Sequence, residues 1–167
     1  MKVLQINTVV NSGSTGRIAE DIGTLLKEND HNSIISYGRN PRPSNSKLIK
    51  IGTKLDIVFH FLKSYLQDKH GLGSKRATKK FVKQLEKIRP SIIHLHNLHG
   101  YYLNYPLLFN FIKEYKIPVV WTLHDCWAFT GHCSHYESSN CYKWKTHCNN
   151  CPSLQINDHA FLLTKQN

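Results

Sequence analysis

The residues best suited to chemistry crowd into one stretch, VVWTLHDCWAFTGHCSHYESSNCYKWKTHCNNCP, residues 119–152. His124 and Asp125 follow directly on the apolar run Val119, Val120, Trp121 and Leu123, which has the pattern of an inner parallel strand. Ligands of open α/β sheets bind at the carboxyl ends of strands, so a His-Asp pair at that point is a candidate site. A neighbouring carboxylate can fix the tautomer and basicity of an imidazole, which makes His124 the leading candidate for chemistry. A histidine that merely caps the strand end is the competing reading.

Within the same stretch Cys133, Cys141, Cys148 and Cys151 are separated by seven, six and two residues. Four thiols suit tetrahedral zinc, and the Cys148-Asn149-Asn150-Cys151 knuckle presents two sulfurs from one tight turn. Disulfides, reduced buried thiols, and a mixed site completed by His132, His135 or His147 are the other readings. The N-terminus MKVLQINTVVNSG has the pattern of a strand rather than a signal peptide, which disfavours an oxidising compartment. Cys126 stands apart from the cluster and reads as a small core residue.

Two further groups carry polar chemistry. In His94-Leu95-His96-Asn97-Leu98-His99 the period of two sends His94 and His96 to one face, and His96, Asn97 and His99 are read as lining a cleft. The segment Asn11-Ser12-Gly13-Ser14-Thr15-Gly16 follows a strand and opens a helix. Its glycines permit close approach of the backbone, and a helix N-terminus attracts anions. It lacks both G-x-G-x-x-G and the G-K-[ST] of a P-loop, so nucleotide hydrolysis is not implied and a plain tight turn competes equally. Lys75 and Arg76, in HGLGSKRAT, offer a second anion site beside a helix start.

The elements that must hold these groups alternate along the chain. Apolar strands are expected over Lys2–Val10, His31–Gly38, Lys47–Gly52, Ser91–Asn97 and Pro118–Leu123. Helices are expected over Arg17–Lys27, capped by Ser14 or Thr15, over Thr53–Gln67, and from a cap at Ser74 to Pro90. A further helix is expected over Tyr105–Tyr115. The third of these basic and apolar segments turns Ala77, Phe81, Leu85 and Ile88 to the core. The Thr53–Gln67 segment is apolar on more than one face, and the expectation is that it packs against the sheet or another domain. Alternating strands and helices imply an α/β fold: a doubly wound parallel sheet with helices on both faces and a C-terminal Cys-rich loop, residues 126–152.

At 167 residues the chain is expected to be a single domain able to bury its own core. No apolar run approaches a membrane span, and a cytoplasmic protein is expected. The 22 Lys and Arg against 11 Asp and Glu give a net charge of +11, which favours anionic partners: phosphates, nucleic acid or an anionic membrane face. The cations lie scattered, with no uninterrupted tract.

The combination of NSGSTGRIAEDIG, HGLGSKRAT, PSIIHLHNLHGYYLNY, VVWTLHDCWAFTGHCSHY and the C-x6-C-x2-CP ending resembles the N-terminal domain of bacterial family four glycosyltransferases, of the capsule, O-antigen and exopolysaccharide kind. The resemblance covers nearly the whole chain. It implies the acceptor-side half of a retaining transferase with two Rossmann-like domains, in which chemistry takes place in the cleft between them. It places Gly13, Ser14, Thr15 and Gly16 near donor phosphates and acceptor, and His124 facing the sugar. It further implies a nucleotide-sugar donor, an acceptor glycan on polyprenyl diphosphate, and a peripheral seat at the inner membrane face. Transfer would need no metal, so zinc on the cysteines would be structural.

The sequence stops where the family's donor-binding domain, with its paired-Glu motif, should begin. The expectation is therefore a single domain, residues 1–167, that draws its nucleotide sugar through a missing domain or a partner chain. The alternative from another class is a metal-knuckle nucleic-acid-binding module, supported by the charge and by Tyr142 and Trp144 among the cysteines. It explains neither the Gly loop nor His124, and no nucleic-acid partner is expected on the transferase reading.

Overall fold

The computed structural model describes residues 1–67, 69–130, 133–146 and 148. Five strands, β1 (Lys2–Asn7), β2 (Asn32–Tyr37), β3 (Lys47–Lys50), β4 (Ile92–Leu95) and β5 (Val119–Trp121), form one sheet in the order β3-β2-β1-β4-β5. Every pairing is parallel, so the alternating pattern of the sequence becomes a Rossmann-like doubly wound sheet. The helices are α1 (Gly13–Glu28), α2 (Lys54–Gln67), α3 (Lys75–Ile88), α4 (Tyr105–Tyr115) and the single turn α5 (Trp127–Thr130).

Side chains alternate across each strand. Leu4, Ile6, Ile34, Ile93 and Leu95 meet Phe81, Leu85, Leu108 and Phe111 of α3 and α4 in the main core. Full burial of each such side chain stabilises the fold by roughly 1.5–3 kcal/mol. Val10 and Ile35 meet Ala19 of α1 in a second, smaller cluster, so helices cover the sheet from both sides. The buried carboxylate of Glu20 in α1 accepts from the Asn45 amide at 2.7 Å and from the Ser44 hydroxyl, which ties the β2–β3 loop to the helix.

Several local expectations are corrected. Neither Ser14 nor Thr15 caps α1; the helix starts at Gly13 with Ser12 at the N-cap, making no side-chain cap bond. Ser74 does occupy the N-cap of α3, but its hydroxyl serves His60 and the Tyr101 carbonyl instead of the helix. The helix that matches its expected span is α4: Asn104 accepts from the Leu107 amide at 3.2 Å and Pro106 follows in the first turn. Among the described residues β5 is the edge of the sheet rather than an inner strand, and Val119, Val120 and Leu123 are 40%, 47% and 53% exposed.

The larger correction concerns α2. Thr53 and Asp56 begin it with a reciprocal capping pair, Asp56 N to Thr53 Oγ1 at 3.2 Å and Thr53 N to Asp56 Oδ2 at 2.8 Å. The side chains it buries are the polar His60 and Ser64, whereas Leu55, Val58, Phe59, Leu62 and Leu66 face solvent. Ile57 packs against the main core and Phe61 meets Tyr101, so the inward face combines apolar contacts with hydrogen bonds. The Gly73 amide donates to His60 Nε2 at 3.0 Å, and His60 Nδ1 lies 2.9 Å from the Ser74 hydroxyl. Among the described residues no helix is long and apolar enough to cross a membrane.

Candidate functional site

The carboxyl ends of β1, β4 and β5 lie side by side, and their polar residues form one rim. Gln5 and His94 are register partners across β1 and β4. Asn7, one alternation further along β1, donates from Nδ2 to Thr15 Oγ1 at 3.3 Å and accepts from the Asn97 amide at 3.3 Å. Thr15 belongs to the first turn of α1, so Asn7 joins the glycine loop to the end of β4. Gly16 is tightly enclosed: a Cβ there would press on the Asn11 backbone nitrogen at 3.2 Å and on the Val9 side chain at 3.0 Å, where the loop folds back with the Asn11 amide on the Gly16 carbonyl. With no acidic residue in its first turn and no side-chain cap, the start of α1 keeps amides available to an anion.

Two histidine networks occupy the rim. In the first, His96 Nε2 lies 3.1 Å from Gln5 Oε1 and His96 Nδ1 lies 2.9 Å from His124 Nε2. The His94 ring packs 4.2 Å from that of His96 and bonds Thr122 at 2.8 Å. Burial, reinforced by the charges of His94 and His124, pushes His96 down to about 3. Burial likewise lowers His94, so the packed pair His94 and His96 is neutral at physiological pH. In the second network His99 Nε2 meets Asp125 Oδ2 at 2.7 Å, and Asp125 Oδ1 accepts the Trp127 amide at 3.0 Å. Trp127 then donates its indole N–H to His70 Nδ1 at 2.8 Å. The Thr8 hydroxyl donates to the His99 carbonyl at 2.6 Å and fastens the β4 loop to the end of β1.

His96, His99, His124 and Asp125 line one narrow crevice between Trp121 and Trp127. Its volume of about 10 Å³ is water-sized, so a larger ligand would lie across its mouth rather than inside it. His96 is 1% exposed and lines the floor, while His124 and His99 are half-buried at the walls. Gly13 and Ser14 are exposed at the start of α1. Lys75 and Arg76 open α3, but Arg76 lines a different groove with Lys50, Asp56 and Lys80.

Gln5, Asn7, Thr8 and Trp127 escaped the sequence reading. The available signal was the interruption of the apolar strand KVLQIN by amides at alternate positions, which places both on one face.

Of the four clustered cysteines, Cys133, Cys141 and Cys148 lie among the described residues. Among the described residues no group of three or more His, Cys, Asp or Glu side chains is placed to hold a metal ion. Cys133 and Cys141 are half-buried and Cys148 exposed, while Cys151, His132 and His147 lie outside the described residues. Cys126, expected in the core, is half-buried, and its amide donates to the Ser134 carbonyl at 2.9 Å.

Fold and rim together define a Rossmann-like α/β domain whose polar groups converge at a strand-end crevice. The chain belongs to glycosyltransferase family 4, whose pattern it matches over residues 15–151. It is similar to WcaC of Escherichia coli strain K12, a protein named as a colanic acid biosynthesis glycosyl transferase, with 26% identity over 166 residues. That alignment covers 92% of this chain and 40% of WcaC, so the chain spans less than half the length of this relative. No solved structure matches it.

Proposed function

We propose that this chain is the acceptor-side domain of a retaining glycosyltransferase, which passes a sugar from a nucleotide sugar to a hydroxyl of a glycan or polyprenyl-diphosphate-linked acceptor in exopolysaccharide synthesis. The observation that carries this reading is the union of two features through Asn7: the uncapped start of α1 and the crevice walled by His124. Backbone amides of the Gly13–Gly16 turn would stabilise the leaving diphosphate, and His124 would orient the reacting groups. Asp125, His99 and Asn97 shape the mouth on which a sugar would rest. The donor is held largely by a second domain or partner, in keeping with the 40% of WcaC that this chain covers.

The outward apolar face of α2 and the net charge of +11 support a peripheral seat on an anionic membrane, where a lipid-linked acceptor would be met. Zinc on Cys133, Cys141, Cys148 and Cys151 enters this reading only as a structural staple, checked by metal analysis of the purified chain.

Calorimetric titration with a polyprenyl-diphosphate glycan mimic and with UDP-, GDP- and dTDP-sugars, with and without a donor-binding domain, tests the reading. Acceptor binding by the chain alone, with nucleotide sugar captured only when the second domain is present, is the expected result. Binding of neither ligand class overturns it. Salt-dependent binding of nucleic acid that is lost on chelation would favour a metal-knuckle nucleic-acid module instead.

A further inference from the structure

The proton positions in the first histidine network follow from one group that has no choice. The Ala19 carbonyl in α1 can only accept, and the Gln5 side-chain nitrogen lies 2.9 Å from it. The Gln5 amide must therefore turn its NH2 toward Ala19 and its oxygen toward β4. That oxygen also can only accept, so His96 Nε2, at 3.1 Å, must carry a proton. A neutral imidazole has one N–H, which leaves a lone pair on His96 Nδ1. Facing this lone pair at 2.9 Å is His124 Nε2, which must then donate.

We infer that Gln5 is a positioning residue: acting through His96, it locks His124 in the Nε2–H tautomer and leaves Nδ1 as the basic nitrogen of the candidate site. Gln5 is fully buried and His96 nearly so, which shields the chain from competing water. His96 could reverse the chain only by taking a second proton, and its burial opposes that at physiological pH. The rings of His96 and His124 lie within 18° of parallel, so the orientation of one is passed to the other.

The use of an amide rather than a carboxylate has a chemical reason under the transferase reading, on which this inference rests. A carboxylate at position 5 would favour a second proton on His96, which reverses the chain, and it would bring negative charge to the rim that is to hold a diphosphate. The glutamine supplies direction without charge.

The test is 15N NMR of the chain labelled at histidine, recorded near neutral pH, where each ring nitrogen reports whether it carries a proton. His96 and His124 should both show a protonated Nε2 and an unprotonated Nδ1. A protonated Nδ1 on His124, or a tautomer mixture, overturns the inference. Gln5→Leu removes the acceptor and should turn the single His124 tautomer into a mixture. Unchanged His124 signals in a folded Gln5→Leu would overturn the inference as well. Should Gln5→Leu fail to fold, the wild-type spectrum still decides.

None of these readouts needs a substrate. Their failure leaves the transferase reading intact, and failure of the chain to bind acceptor, with the tautomers as expected, counts against the transferase reading alone.

Discussion

His99 and His124 stand on the walls of one crevice, yet they are held by opposite means. His99 is gripped by the carboxylate of Asp125, which also accepts the Trp127 amide. His124 is held by a neutral ring that is itself held by a neutral amide, with no carboxylate in the chain of contacts from Ala19 to His124. The difference shows how one fold anchors two histidines of one crevice, one through a carboxylate and one through neutral groups. The first is paired with Asp125, and the second hangs from a fully buried glutamine on the central strand.

Removing His124 should produce the largest effect. In a transferase assembled with a donor-binding domain, His124→Ala should slow sugar transfer on the order of 100-fold or more, whereas His99→Ala should cost on the order of 10-fold, as measured by product formation. Equal losses would erase the functional distinction between the two networks.

Acid should strike the neutral histidines next. His60 and His96 are lowered to about 4 and about 3 from the ordinary 6.5, chiefly by burial. Below pH 6.5 the unfolded chain therefore takes up protons that the native chain refuses. Their stabilising contribution is complete above about pH 6.5. It is lost as pH falls toward about 4 for His60 and about 3 for His96, at about 1.4 kcal/mol per pH unit for each group. Urea unfolding between pH 4.5 and 7 should show this slope, and His60→Gln should flatten it by one group's share.

Loss of charge at the other network should matter less. Asp125→Asn keeps one oxygen acceptor, for the Trp127 amide, and replaces the oxygen facing His99 with an uncharged NH2, which removes the ion pair. The pair is partly exposed, with side-chain accessibilities of 25% and 13%, so the cost should be about 0.5–1 kcal/mol, or a few degrees in Tm. A larger loss would mean that Asp125 positions more of the rim than His99. The smallest effect on stability is expected far from both networks. Phe59→Ser on α2, at a residue 68% exposed, should change unfolding free energy by no more than about 0.5 kcal/mol, while reducing sedimentation with anionic vesicles.

The fold was legible where local rules and tertiary packing agree. Asn104 and Pro106 mark the start of α4, the spacing of Ala77, Phe81 and Leu85 marks the inner face of α3, and alternating elements imply a parallel sheet. The rule that apolar residues face inward failed on α2. There His60 bonds Gly73 and Ser74 and Ser64 bonds the Lys69 carbonyl, so polar side chains turn in beside the partly buried Ile57. The candidate site was half legible. Position after a strand marked His124, His99 and Asp125, but Gln5 acquires meaning only when β1 lies beside β4 and His96 comes within reach from 91 residues away. Periodicity along a chain carries no record of contacts across strands.

The strand order also imposes a schedule. β1 is the first strand made and lies at the centre of the sheet, with Val3 paired to Ser33 on one side and to Ile92 on the other. During synthesis at about 5–20 residues per second, one flank of β1 waits roughly 4–18 s for its neighbour to be translated. Gln5 spends that interval without the histidine it is to orient, so the rim is a late product of folding although its first residues are among the earliest to leave the ribosome.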